Sequence, residues 1–232
     1  MPYFYLDRSY WILIIPTMLF ALWAQSKVSS TFTQYSRVMS RGGSTAADIC
    51  RRILDSNGLY HVRIEHIAGN LTDHFDPTSN VVRLSDSVYG SHSVAAIGVA
   101  AHEVGHAIQY AVGYVPIRVR AAIIPITNFG SKLAVPLILF GFVFQWQPLV
   151  NLGILLFSLM TLFQLVTLPV ELNASRRALR TLAGDHILCG EEVSQAKKVL
   201  TAAAMTYVAA LLTSAAQLLR LIVLYGRRNN RD

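Results

Sequence analysis

The sequence predicts a mainly α membrane protein, with about four transmembrane helices and a small α+β domain between the first and second spans. Three observations predict it. Across 232 residues, 53% are hydrophobic and only 14% charged, with a mean hydropathy of +0.42; soluble domains do not carry that balance. Several uncharged runs approach or exceed the length needed to cross a bilayer. Only one long segment, residues 27–120, has soluble character. The net charge of +7 clusters beside apolar segments, which suits anionic headgroups and the positive-inside rule, so a lipid bilayer and no nucleic acid is expected as partner. Cys50 and Cys189 lie in no CxxC pattern, which argues against a disulfide scaffold and for reduced thiols in a cytosol-facing domain.

Residues 1–26 read as an N-terminal anchor. SYWILIIPTMLFALWAQS, between Arg8 and Lys27, is uncharged, with Tyr10, Trp11 and Trp23 placed as interface residues. The missing basic n-region favours an uncleaved anchor over a signal peptide. In the 27–120 domain, STAADICRRILDSNG has helical spacing, with Ser44 as N-cap and Asn57-Gly58 as the stop. LYHVRIEHIAG alternates like a strand, and NVVRLS, after the turn residues Asp76-Pro77, reads as another. A helix from about His92 to Val112, capped by Ser91 or Ser93, should follow.

Residues 121–170 read as a transmembrane hairpin, because Leu133–Val170 carries no charge and is broken only by QWQP at 145–148. Its spans should cover roughly 131–147 and 149–170, with Pro125 and Pro136 kinking or interrupting the approach to the first. Residues 171–198 are a polar helical segment, and 199–232 a C-terminal helix with a basic tail. Val199–Leu219 is uncharged and rich in Ala, Ser and Thr, a composition suited to close helix packing.

The helix after the second strand contains VAAHEVGHAIQ, residues 99–109. Positions i and i+4 share a helical face, so His102 and His106 can hold one metal ion. Glu103 projects beside the open coordination site, where it can take a proton from a water that the ion has made acidic. This HExxH spacing is that of zinc metalloproteases, and three polar groups buried there unpaired would be costly. Gly105 costs a helix interior about 1 kcal/mol relative to Ala, which predicts close approach of another element. Zinc needs a third protein ligand. A metzincin histidine is excluded, since position 112 is Val and position 109 is Gln rather than Gly. Asp185 lies in a polar loop and is a weak candidate. Glu171, opening ELNASRRALRTL at the end of the hairpin, is the better one, and His74 is held in reserve. Two membrane crossings separate His106 from Glu171, so the predicted topology returns the chain to the same face.

The chain resembles the bacterial membrane-bound neutral zinc metallopeptidases of the YugP-like group. The resemblance runs through LTDHFDP (71–77), VVRLS with SVY (81–89), SVAAIGVAAHEVGHAIQ (93–109), TLPVELNASRRAL (167–179) and AAAMTYVAA (202–210). It implies a zinc-dependent membrane endopeptidase whose motif maps onto His102, Glu103 and His106. Glu171 looks like the ExxxD glutamate of membrane gluzincins, but Ser175 stands where those have Asp, which removes the carboxylate expected behind a ligand histidine.

Other polar residues have plainer readings. Asp73 and Asp76 in LTDHFDP suit a turn in which carboxylates cap backbone amides; alternatively Val81–Leu84 is an edge strand that a peptide could extend. Tyr207 suits a membrane interface better than an oxyanion donor. Arg176, Arg177 and Arg180 suit headgroups or a helix cap. His61, His66, His92 and His186 show no ligand spacing and should be surface residues.

Basic residues flanking the motif side (Lys27, Arg37, Arg41, Arg118, Arg120, Lys132, Arg176, Arg177, Arg180, Lys197 and Lys198) outnumber those of the other side (Arg8, Arg220, Arg227, Arg228 and Arg231). The positive-inside rule then puts the catalytic domain in the cytoplasm, and the resemblance implies a bacterial plasma membrane. The expected activity is hydrolysis of a peptide bond in a peptide or membrane-protein substrate at that surface. The alternative is a non-catalytic scaffold that zinc staples together. A zinc transporter is disfavoured because no acidic or histidine residues line the apolar spans. No sequence feature specifies an oligomeric state.

Overall fold

The computed structural model describes residues 8–229, and side chains as far as residue 224. It divides into two compact units. One comprises Gln25–Arg118 with Pro169–Met205; the other comprises Met1–Ala24, Val119–Leu168 and Thr206–Asp232.

The first unit is built on a hydrophobic helix–sheet core. Helix α1 (Ile15–Tyr35) follows a π-helical turn at Tyr10–Ile14 and delivers its last turns, with Phe32 and Tyr35, to this core. Helix α2 (Ala46–Ser56) begins at Thr45 rather than Ser44. Thr45 Oγ1 accepts from the Asp48 amide at 3.1 Å while the Asp48 carboxylate accepts from the Thr45 amide at 3.1 Å, a reciprocal cap that Ser44, one residue too early, could not form. The helix ends at Asn57, and Gly58 takes a φ of +72°, a conformation in which a Cβ is strained. Ile49, Ile53 and Leu54 face the core, each contributing about 1.5–3 kcal/mol when fully buried.

Strands β1 (Arg63–Ile67), β2 (His74–Asp76) and β3 (Val81–Ser85) form one sheet in the order β1-β3-β2. Strand β3 pairs parallel with β1 and antiparallel with β2. It is therefore the central strand, with Val81, Val82, Leu84 and Ser85 buried, and the expectation that Val81–Leu84 forms an edge is corrected. Helix α3 (Val94–Ala111) follows, capped by Ser93, whose hydroxyl accepts from the Ala96 amide at 3.2 Å.

Helices α4 (Val115–Val143) and α5 (Gln147–Gly184) form the hairpin, whose residues 119–168 belong to the second unit, joined by a turn in which Gln145 has a φ of +54°. Pro125 and Pro136 lie inside a continuous α4, so of the expected kink or interruption there is no interruption. Each proline removes a single ladder bond, a loss that membrane helices tolerate. Gly153 of α5 leaves room for α4, since a Cβ there would come within 2.5 Å of the Ile138 side chain and 2.9 Å of the Ala134 carbonyl oxygen. The last helix, α6 (Glu191–Asn229), packs on α5 through polar contact as well, with Thr161 Oγ1 and Ser214 Oγ 2.7 Å apart. Arg220 is buried, its guanidinium 5.3 Å from the Tyr10 ring. Phe140, Phe144, Leu155 and Leu165 are exposed, an apolar surface that a bilayer covers. Among the described residues, four helices are long and apolar enough to cross a membrane: Tyr10–Tyr35, Val115–Val143, Gln147–Gly184 and Glu191–Leu224. The protein is thus mainly α and multi-pass, with a small α+β region.

Candidate metal centre

Helix α3 is made of small residues because other helices cross it closely. A Cβ on Gly98 would touch Ala196 of α6 at 3.5 Å, and one on Gly105 would lie 2.7 Å from the Ala174 carbonyl oxygen of α5. The close approach expected at Gly105 is therefore made by the helix that carries Glu171. That contact fixes the register of α3 against α5, and the register brings Glu171 opposite both histidines.

His102 Nε2 lies 3.2 Å and His106 Nε2 3.4 Å from Glu171 Oε2. The three ligand atoms all fall within 4.8 Å of one another, a group that could hold a metal ion. The two imidazoles meet edge to face, their centroids 4.8 Å apart. The side chains are 14%, 12% and 3% exposed for His102, His106 and Glu171, so the group is largely buried. Burial alone would push the His106 imidazole down, but its hydrogen bond to Glu171 and the nearby Glu103 charge hold it above its ordinary value.

Each imidazole is also held from behind. His102 Nδ1 lies 3.1 Å from Ser175 Oγ, and His106 Nδ1 lies 3.0 Å from Gln109 Oε1. The loss of an Asp at position 175 has therefore not removed the supporting hydrogen bond; a serine hydroxyl supplies it. With both Nδ1 atoms engaged elsewhere, the two Nε2 atoms and one carboxylate oxygen remain, which is the donor set of a zinc site with an open position. The residues fit zinc.

Glu103, 8% exposed, is held by a different element. Its Oε2 accepts from the Phe75 amide of β2 at 3.0 Å. Phe75 stands opposite Val82 of β3, and its amide points away from that partner towards α3. The Phe75 ring packs against Tyr110, centroids 5.7 Å apart, one turn beyond His106.

Of the three supporting residues, the sequence marks only Ser175 as a position behind a ligand; the support from Gln109 and Phe75 is not anticipated. Gln109, three positions past His106, and Ser175, four past Glu171, share helical faces with those ligands, so helical spacing could have found both. Phe75 had no such signal, because β2 is three residues long and reads as turn.

The remaining candidates are accounted for locally. Asp73 accepts from the Ser85 amide at 2.7 Å and the Ser85 hydroxyl at 2.9 Å, and burial pushes its carboxyl up. Asp76 accepts from the Thr78 amide, the Ser79 hydroxyl and Arg83; these hold it below the usual carboxylate range. Asp76 matches the turn reading, whereas Asp73 caps an amide of β3, twelve residues along the chain. His74 bonds the Thr72 carbonyl and contacts Arg83, outside the metal-competent group. Asp185 is exposed in the α5–α6 loop, and His61, His66, His92 and His186 are exposed too. Arg177 bonds Asn173, while Arg176 and Arg180 are exposed on α5. Tyr207 is half-buried on α6 in the unit of apolar helices. Cys50 is buried and Cys189 exposed, both free thiols.

Comparison with known proteins agrees with this donor set. The family model described as "Putative neutral zinc metallopeptidase" matches residues 10–226. The protein named "Putative membrane protease YugP", from Bacillus subtilis (strain 168), is 47% identical over 220 residues, spanning 94% of this chain and 98% of that one. No solved structure matches the chain. With nearly its whole length matched and a His-His-Glu group in place, the chain belongs to this family of neutral zinc metallopeptidases.

Proposed function

We propose that the protein is a zinc-dependent endopeptidase that hydrolyses peptide bonds at the cytoplasmic surface of the bacterial plasma membrane. His102, His106 and Glu171 are the metal ligands and Glu103 is the catalytic residue. The observation that carries this reading is the convergence of both Nε2 atoms on the Glu171 carboxylate, with Glu103 adjacent to His102 on α3.

Zinc bound there would supply Lewis acidity at the scissile carbonyl and lower the pKa of a water. Glu103 takes the proton of that water and later passes it to the leaving amine. The Phe75 amide keeps one carboxylate oxygen of Glu103 in place, leaving Oε1 to meet the water. A peptide laid along the outer edge of β2 would run past Glu103, and main-chain hydrogen bonding to that edge is a general mode of peptide recognition. The bound substrate is a peptide or a segment of a membrane protein, since α5 carries its apolar run directly into Glu171. The excess of basic residues flanking the motif side supports the cytoplasmic orientation.

The test is purification of the full chain in detergent, elemental analysis for zinc, and assay on a set of unstructured peptides before chelation, after chelation and after zinc is restored. Hydrolysis that disappears and returns with zinc is the expected result. Tightly held zinc with no hydrolysis of any peptide or co-reconstituted membrane protein would return the stapled-scaffold reading.

A further inference from the structure

Gln109 is fully buried, and every polar atom of its amide has a partner. Its Nε2 lies 2.8 Å from the Val170 carbonyl oxygen and 3.0 Å from Asn173 Oδ1, while its Oε1 lies 3.0 Å from His106 Nδ1. Asn173 Oδ1 is also 2.8 Å from Arg177 Nε. The donor and acceptor roles in this chain are not free. An arginine only donates, so the Asn173 atom facing it is oxygen. A backbone carbonyl only accepts, so the Gln109 atom facing Val170 and Asn173 is the NH2 group. Its oxygen must then face His106, and Nδ1 of that ring must carry the proton. A neutral imidazole protonated at Nδ1 has its lone pair on Nε2, the atom that faces Glu171.

We propose that Gln109 is a positioning residue for the metal: its amide, locked by the Val170 carbonyl and the Arg177–Asn173 pair, fixes His106 as the Nδ1–H tautomer and so presents Nε2 to the ion. The proposal rests on the metal reading above and adds to it a device outside the ligands. His102 has no equivalent lock, because the Ser175 hydroxyl can donate or accept and leaves that ring's tautomer open. Gln109 therefore makes His106 the more firmly preset of the two histidine ligands.

The test compares zinc affinity, by chelator competition on the full chain in detergent, for wild type, Gln109→Met and His106→Ala. Methionine keeps the length and most of the volume of glutamine but offers no strong acceptor. Gln109→Met should weaken zinc binding about 10- to 100-fold in protein whose helix content matches wild type, with a changed visible spectrum after cobalt substitution. A purely structural role would lower thermal stability and leave the affinity of the folded protein and the cobalt spectrum unmoved; that result overturns the proposal. Should Gln109→Met not fold, nitrogen NMR of zinc-loaded wild type labelled at histidine decides without a substitution. A proton on Nδ1 of His106 is expected, and a proton on Nε2 overturns the proposal. If His106→Ala binds zinc as wild type does, the metal reading itself has failed. If His106→Ala loses zinc and Gln109→Met does not, only the role of Gln109 has failed.

Discussion

The two sides of the metal-competent group are built on different principles. The ligand side is helix against helix, with Gly105 of α3 admitting the Ala174 carbonyl of α5 so that His102, His106 and Glu171 converge. The base side depends on a three-residue strand, whose Phe75 amide holds Glu103. One side is over-determined by packing and by a buried hydrogen-bond chain, while the other hangs on one main-chain bond. The difference teaches that metal retention and hydrolysis should fail separately when the two sides are disturbed separately.

The largest effect is expected on the ligand side. Glu171→Gln keeps the shape but removes the anionic oxygen, and zinc affinity should fall by more than about 100-fold, beyond the loss seen for a partner behind a ligand. Chelator competition measures it. A comparison of equal interest is Gly105→Val, which drives side-chain atoms into the α5 backbone. It should destabilise the first unit by about 1–3 kcal/mol through overpacking, read as a lower midpoint in thermal unfolding, and should lower zinc affinity with it.

The base side should break differently. Phe75→Pro removes the amide hydrogen that Glu103 accepts, at an edge position where the β3 ladder does not use it and proline is tolerated. Hydrolysis should drop about tenfold, in line with the loss of one charge-assisted hydrogen bond, while zinc content stays at wild type. Phe75→Ala keeps the amide and serves as the control for loss of the ring. The smallest effect is expected at Ser175→Ala, where a hydroxyl behind His102 is lost and zinc affinity should weaken by no more than about tenfold.

Acid sharpens the same contrast. Zinc binds neutral imidazole, so it competes with protons for His106. Because the Glu171 hydrogen bond holds the His106 imidazole above its ordinary value, metal-free protein retains that proton to a higher pH than an isolated histidine would. Zinc affinity should therefore decline as pH falls from neutral, starting above the usual histidine range near 6.5. An affinity flat between pH 8 and pH 6 would contradict the coupling.

The sequence made the helical half of this arrangement readable. His102, Glu103 and His106 lie within one turn and a residue, and Glu171 follows two predicted crossings later, back on the same face. Gly105 announced a close approach through its own helix cost. What could not be read was β2. Its three residues carry no alternation, and the link from Phe75 to Glu103 joins positions 28 apart in the chain. The central place of β3 is hidden for the same reason, since without β2 in the sheet it has only one neighbour. The continuity of α5 through Pro169 and Glu171 was hidden by the change from apolar to polar composition, which marks a change of surroundings and not the end of a helix.

The most direct test of the central claim is Glu103→Gln, measured for zinc content and for peptide hydrolysis beside wild type. Glutamine keeps the side-chain shape and an oxygen for the Phe75 amide but cannot take a proton from water. The account predicts zinc at wild-type stoichiometry with hydrolysis reduced by a factor of about 10²–10⁴ or more. Zinc retained with undiminished hydrolysis would contradict it.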